Sequence, residues 1–244
     1  MDLLRANLAR GALLRTRNMP VARPAPSMFY YAGLESKAVW SCHNHNNDVI
    51  HQKLQSIKDS LCAGYQDIVD EYLTIRQIKQ NDYKLNKDEH QLHKGQWDWN
   101  SYILQGVRQP DFAISCPKTA TILESMPLLM HSTPFSFAFF STLHPNTVIN
   151  PHYGPTNIRL RCHFPLIIPK KSNNIGMNIG NIDVKWREKE PLFFDDTYEH
   201  SVYNQTEEER VVLLFDIFHP SLHNDEIHAV IEMFDYSKKQ GWLK

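Results

Sequence analysis

The 244-residue sequence predicts a mainly β fold with flanking helices, a sandwich or jelly roll preceded by a helical segment. From Phe135 onward the chain is a series of short apolar or alternating runs separated by turn residues. One run, Asn157 to Phe164, alternates strictly in polarity, the signature of a strand with two different faces. Upstream, Val49 to Gln80 carries apolar side chains at three- and four-residue spacings, the period of an amphipathic helix.

Composition supports a packed globular chain: 42% of residues are hydrophobic. The formal net charge of −1 argues against a dedicated nucleic-acid binder, and no apolar run approaches the length of a transmembrane segment. Cys42, Cys62, Cys116 and Cys162 lie far apart with no CxxC pair, which excludes a zinc ribbon or thioredoxin motif and predicts reduced, partly buried thiols. Residues 1–27 carry Arg5, Arg10, Arg15, Arg17 and Arg23 against one acid, Asp2. This basic leader reads either as an organellar transit peptide or as a plain basic tail, leaving the cytoplasm and the mitochondrion as the compartments to separate. Pro20, Pro24 and Pro26 mark a linker after it.

The elements follow in order. Ile50, Leu54, Ile57, Leu61, Ile68, Leu73 and Ile75 predict a helical region over Val49 to Gln80, broken in two at Gly64. Asn81 to Gln96 is polar and reads as a loop, after which Trp97, Trp99 and Tyr102 form an aromatic cluster. Cys116-Pro117-Lys118-Thr119 opens a short helix expected to run from Thr119 to Met130. The division expected is a helical part over 28–134, a β core over 135–220 and a helical extension over 221–244. Within the core, Phe135–Leu143, Leu192–Phe194, Ser201–Asn204 and Val211–Phe218 are strands, and Ile175 to Ile182 is a strand pair with Gly176 and Gly180 at turns or bulges. Gln205 to Glu209 turns one strand into the next, and Asp225 to Trp242 closes the chain as a helix.

The alternating strand is the first chemical clue. Ile158, Leu160, Cys162 and Phe164 face one way; Asn157, Arg159, Arg161 and His163 face the other. Two arginines and a histidine on one face are costly in a dry core, neutral in water, and useful in a pocket that binds carboxylates. Arg210, at the head of the apolar strand ending at Phe218, either caps that strand in water or reaches inward as a carboxylate clamp. His152 and His200 lie in separate β-like stretches and look like the two protein ligands of a non-haem iron. In a facial triad two histidines and a carboxylate hold Fe(II) and leave positions open. The usual carboxylate position, two residues after the first histidine, is Gly154 here. Asp196 is either a ligand itself or a hydrogen-bonding neighbour of the metal site. Taken alone, each histidine is more often a structural or exposed side chain than a ligand. His43-Asn44-His45, the pair His90 and His93, and His223 with His228 lack supporting context.

Four linked motifs carry a family resemblance. They are His152-Tyr153-Gly154-Pro155-Thr156-Asn157, then Arg159-Leu160-Arg161-Cys162-His163, then Phe194-Asp195-Asp196-Thr197-Tyr198-Glu199-His200, and finally Arg210 with Phe218-His219-Pro220. Together with Phe29-Tyr30-Tyr31-Ala32-Gly33-Leu34 and Trp40, they closely resemble the aspartyl/asparaginyl β-hydroxylase family over about residues 28 to 222. The resemblance implies a double-stranded β-helix, a cupin-like jelly roll with added helices. It implies an Fe(II)- and 2-oxoglutarate-dependent dioxygenase that lacks the triad carboxylate, as Gly154 does, and that uses O2 to hydroxylate an unactivated carbon. It assigns His152 and His200 to iron, Ser141, Arg161, His163 and Arg210 to 2-oxoglutarate, Arg159 to the substrate, and Asp196 to orienting metal-bound water. The substrate it implies first is peptidyl Asp or Asn, with a small molecule or a lipid acyl chain as the alternative. The other readings are an iron halogenase, which a His-X-Gly pattern also suits, and a silent binding module that keeps only the barrel.

Overall fold

The computed structural model describes residues 23–42, 48–78, 81–83, 92–170 and 172–242. Most of the basic leader, His43-Asn44-His45 and His90 lie outside the described residues. The helices are α1 (Val49–Ala63), α2 (Tyr65–Ile78), α3 (Pro110–Ser115), α4 (Pro117–Ser125) and α5 (Asn224–Lys239). The strands begin with β1 (Val39–Trp40), β2 (His93–Lys94), β3 (Trp97–Leu104), β4 (Val107–Arg108), β5 (Ala138–Leu143) and β6 (Thr147–His152). They continue with β7 (Arg159–Ile167), β8 (Ile175–Ile179), β9 (Ile182–Val184), β10 (Leu192–Phe194), β11 (His200–Asn204) and β12 (Arg210–Phe218).

Local chemistry sets the helix limits. Asp48 caps α1 by accepting the Ile50 amide at 3.1 Å. Gly64 separates α1 from α2 as expected, and a side chain there would meet Ile122 Cδ1 of α4 at 2.2 Å, so the isoleucine would have to turn aside. Pro110 and Pro117 sit in the first turns of α3 and α4, where a missing N–H costs nothing. The helix expected to reach Met130 stops at Ser125, because Pro127 forces Met126 into an extended conformation (φ −75°, ψ 136°).

Two antiparallel sheets form the body. The larger runs β1-β10-β7-β12-β5-β3-β4 and the smaller β2-β6-β11-β8-β9. Phe139, Phe194, Val212 and Leu214 of the larger sheet meet Ile149, Met177 and Val202 of the smaller in one apolar layer. This face-to-face arrangement is the jelly roll read from the sequence, a double-stranded β-helix.

On its other side the larger sheet packs against α1 to α4. Leu54, Ile57, Leu61, Ile68, Tyr72 and Ile75 meet Phe140, Leu160, Cys162, Phe164, Leu213 and Phe215 there. Each such side chain contributes about 1.5–3 kcal/mol on burial. The β7 alternation is thereby resolved. Leu160, Cys162 and Phe164 lie under the helices, while Arg159, Arg161 and His163 take the opposite face of the strand. A third cluster, with Ile158, Phe218, Leu222, Val230 and Phe234, seats α5 against one end of the body.

Two strands differ from the sequence expectation. The aromatic cluster Trp97 to Tyr102 lies in strand β3, whose register slips between Ser101 and Ile103. That irregularity lets Tyr102 and Ile103 both join the helix-side core while Trp97 and Trp99 border the interior layer. β6 escapes a pattern reading because it ends in Asn150-Pro151-His152, and Pro151 has no N–H to donate. The four cysteines are free, Cys116 and Cys162 buried.

Candidate active site

β6 and β11 are antiparallel neighbours, and their register sets His200 directly opposite His152. The two ring centroids are 4.0 Å apart. Each ring is fixed in the same way: His152 Nδ1 lies 2.8 Å from Asn150 O, and His200 Nδ1 lies 2.9 Å from Tyr198 O. A carbonyl only accepts, so each Nδ1 carries the proton and each Nε2 keeps its lone pair. Burial lowers the His152 pKa, and burial with the neighbouring His152 pushes His200 down to about 3. Both imidazoles are neutral at physiological pH, the form a metal ligand needs.

Gly154 follows on the same loop, and its amide donates to Asp196 O at 2.6 Å. A Cβ at Gly154 would lie 2.3–2.5 Å from the Asp196 carboxyl atoms. The Asp196 carboxylate therefore fills the space that a side chain at position 154 would occupy. Among the described residues no group of three or more His, Cys, Asp or Glu side chains is arranged as a metal cage. Residues 25–29 run alongside this loop: the Ala25 amide donates to Thr197 O at 2.7 Å, and those of Ser27 and Phe29 donate to Gly154 O and Pro155 O at 3.0 and 2.9 Å.

Asp196 belongs to a buried quartet of charges. Arg159 Nε donates to Asp196 Oδ1 at 3.3 Å and Arg159 Nη2 pairs with Oδ2. Arg159 Nη1 donates to Phe135 O and, at 3.1 Å, to Asp216 Oδ2. Arg161 forks onto Asp216, Nε to Oδ1 at 2.8 Å and Nη2 to Oδ2 at 3.0 Å, and its Nη1 lies 3.6 Å from Asp196. Burial alone would raise the Asp196 pKa; Arg159 and Arg161 overcome it and hold the carboxyl below the usual range. Arg159, which the resemblance directs at the substrate, is 2% exposed and bonded within this quartet.

Arg210 is different. It is 1% exposed, and among the described residues no carboxylate lies within 4 Å of its guanidinium. Nη1 donates to Ser141 Oγ at 3.2 Å, the group lies 4.9 Å from the Trp186 ring centroid, and Nε is buried with no hydrogen-bond partner. Burial pushes its pKa down to about 9, so it stays charged at neutral pH. Trp97 Nε1 donates to the same Ser141 Oγ at 2.8 Å. Trp186 Nε1 donates to His163 Nδ1 at 3.3 Å. Burial, with Arg210 and Arg161 nearby, keeps the His163 pKa well below its ordinary value, so its Nε2 carries the one proton. One pocket is lined by His152, His200, Ser141, Arg161, His163 and Arg210, with Trp97, Phe194 and Leu214 as apolar wall.

Sequence reasoning missed Asp216, Trp186 and the hydrogen bond of Trp97. Asp216 had a signal: a lone carboxylate inside the apolar run Val211–Phe218 needs a buried partner. Trp186 had none, since it lies between short strands with no periodic neighbour.

A sequence model of the aspartyl/asparaginyl β-hydroxylases matches residues 63–220, most of the chain. The chain belongs to this family. Within the family it is 30% identical over 217 residues to mouse (Mus musculus) aspartate β-hydroxylase domain-containing protein 2, covering 86% of this chain and 59% of that protein. It is 35% identical over 163 residues to human aspartyl/asparaginyl β-hydroxylase, covering 67% of this chain and 21% of that protein. A Rhizobium tropici ornithine lipid ester-linked acyl 2-hydroxylase is 33% identical over 124 residues, 50% of this chain and 42% of that protein. The chain thus spans less than two thirds of the length of each of these relatives.

Proposed function

We propose that this hydroxylase-family chain is an Fe(II)- and 2-oxoglutarate-dependent dioxygenase that hydroxylates an unactivated carbon, foremost the β-carbon of a peptidyl Asp or Asn. The observation that carries this reading is the pairing in one pocket of two neutral, lone-pair-bearing imidazoles with a buried guanidinium that has no counter-charge among the described residues. An unpaired buried cation is costly, and a bound carboxylate removes that cost.

His152 and His200 suit a divalent metal such as iron, because both are neutral and both are fixed through Nδ1. Iron with 2-oxoglutarate and O2 supplies an oxidant for C–H bonds, with succinate and CO2 as by-products. The remaining work belongs to the chain's own side chains. Arg210 binds the distal carboxylate of 2-oxoglutarate, with the Ser141 hydroxyl and the His163 Nε2–H as further donors. Arg161, forked onto Asp216, gives the pocket a second guanidinium at its edge. Asp196 keeps its carboxylate against Gly154, where a third ligand would otherwise stand, and Arg159 serves the site by holding Asp196 there. The apolar wall of Phe194 and Leu214 keeps the pocket poor in water, which strengthens each charge interaction.

The test is anaerobic calorimetry with Mn(II) and 2-oxoglutarate, followed by succinate release with Fe(II), O2 and panels of Asp/Asn peptides and acyl amides. The wild type binds both and gives a product heavier by one oxygen. His200→Ala loses the metal. Arg210→Met loses about 2–3 kcal/mol of 2-oxoglutarate affinity, while the ligand-free variant unfolds at higher temperature because an unpaired buried charge is gone. An Arg210→Met protein that binds 2-oxoglutarate like the wild type refutes the clamp, and with it this function.

A further inference from the structure

We propose that Asp216 is a positioning residue of this site: by holding Arg159 and Arg161 it fixes the Asp196 carboxylate against Gly154 and cancels the charge beside the metal position. The inference rests on the proposed function, since it needs a metal between His152 and His200.

The carboxylate of Asp216 is fully buried. Oδ1 accepts from Arg161 Nε at 2.8 Å; Oδ2 accepts from Arg161 Nη2 at 3.0 Å, Arg159 Nη1 at 3.1 Å and the Phe137 amide at 3.1 Å. Its backbone is fixed as well, with the Asp216 amide donating to Phe137 O and the Met130 amide donating to Asp216 O, both at 2.9 Å. The carboxylate is buried against Arg159, Arg161 and the Phe137 amide, so its effect on the site passes through the two arginines.

Those arginines stand two residues apart on the same face of β7, and Asp216 is the direct cross-strand partner of Arg161. Asp196 reaches them from the β10–β11 loop. The quartet alternates in sign and sums to zero. With Asp216 neutral, two guanidiniums share one carboxylate and a net positive charge is left next to a site for a divalent cation. Arg161 also loses its fork and Asp196 its fixed seat. Asp216 itself makes no hydrogen bond to Arg210, Ser141 or His163. Metal affinity and 2-oxoglutarate affinity should therefore separate.

The experiment is anaerobic titration of the full chain with Mn(II) alone, then with 2-oxoglutarate at saturating Mn(II), alongside a thermal melt. Asp216→Asn is expected to weaken Mn(II) binding by about tenfold or more and to lower 2-oxoglutarate affinity by clearly less, because the Arg210–Ser141 pair is intact and only the edge guanidinium Arg161 loses its fork. The charge-balanced variant Asp216→Asn with Arg161→Gln keeps the Arg159–Asp196 pair and should recover most of the Mn(II) affinity. Unchanged Mn(II) binding in folded Asp216→Asn overturns the proposal, as does parallel loss of both affinities. A double variant as weak as the single one, or failure of both to melt cooperatively, reduces Asp216 to a structural role and also overturns it. If the single variant does not fold and the double one folds and binds Mn(II), charge balance is upheld. A wild type that binds no Mn(II) at all sinks the proposed function instead.

Discussion

At position 154 the absence of a side chain has a visible cause. A Cβ there would fall inside the van der Waals envelope of the Asp196 carboxylate, and that carboxylate cannot swing aside because Arg159 grips both of its oxygens. Gly154→Ala is therefore expected to lower stability by about 1–3 kcal/mol, the usual range for forced overpacking, and to reduce turnover with it. Urea unfolding and succinate release check both; a variant of wild-type stability shows that Asp196 moves freely. Gly154→Asp is not expected to restore a working triad, since its carboxylate would compete for space with a second negative charge. The same scale explains what the sequence disclosed. The inward face of β7 announced Arg159, Arg161 and His163, and the motifs brought His152, His200 and Arg210 into one discussion. What the sequence did not disclose is pairing. Arg161 and Arg210 look alike in a string of letters, yet one is matched to Asp216 and the other to no acid among the described residues.

β12 shows how a single element divides its labour. All nine of its residues are buried. Val211, Leu213, Phe215 and Ile217 face the helices, while Arg210 and Asp216 face the site and Val212 and Leu214 join the layer between the sheets. Leu213→Ala is predicted to cost about 2–5 kcal/mol in urea unfolding, the cavity cost of a core leucine. It should leave 2-oxoglutarate affinity within a few-fold of wild type. Comparable loss of affinity means that the two faces of the strand are not independent. Elements like this one were legible because their period or their apolar content is strong, as with β7, α1 and α2. β3 and β6 were less legible for physical reasons: an irregular register in one and a proline near the end of the other disturb the alternation that a reader looks for. α3, only six residues long, is too short to show a period.

Across the whole molecule, stability and pH are joined through buried titrating groups. Burial pushes the Asp195 carboxyl up to about 7, although Thr197 donates to it. An acid with a raised folded pKa adds stability that is complete below its unfolded value near 4 and is lost as pH rises through about 7. Histidines act on the other limb. His200 at about 3 and His219 at about 4 are depressed by burial, so their contribution is complete above the unfolded histidine value near 6.5 and is lost as pH falls toward 4 and 3. Asp195→Asn should match the wild type near pH 4 and exceed it at pH 8 by about 2–4 kcal/mol, the scale set by the size of the shift. Chemical denaturation at the two pH values measures this, and equal stability at pH 8 shows that Asp195 ionises freely in the folded protein.

The ribbon of chain at 25–29 supplies a built-in gauge of the site. Its amides at Ala25, Ser27, Met28 and Phe29 are bonded to the carbonyls of Thr197, Gly154 and Pro155, on the loops between His152 and β7 and just before His200. Solvent deuterium reaches those four nitrogens only when the loops let go. Their exchange rates thus report, from a stretch that carries none of the proposed ligands, how often the two loops next to the imidazoles open, and a fusion or cleavage point placed within that stretch would loosen the very loops it borders.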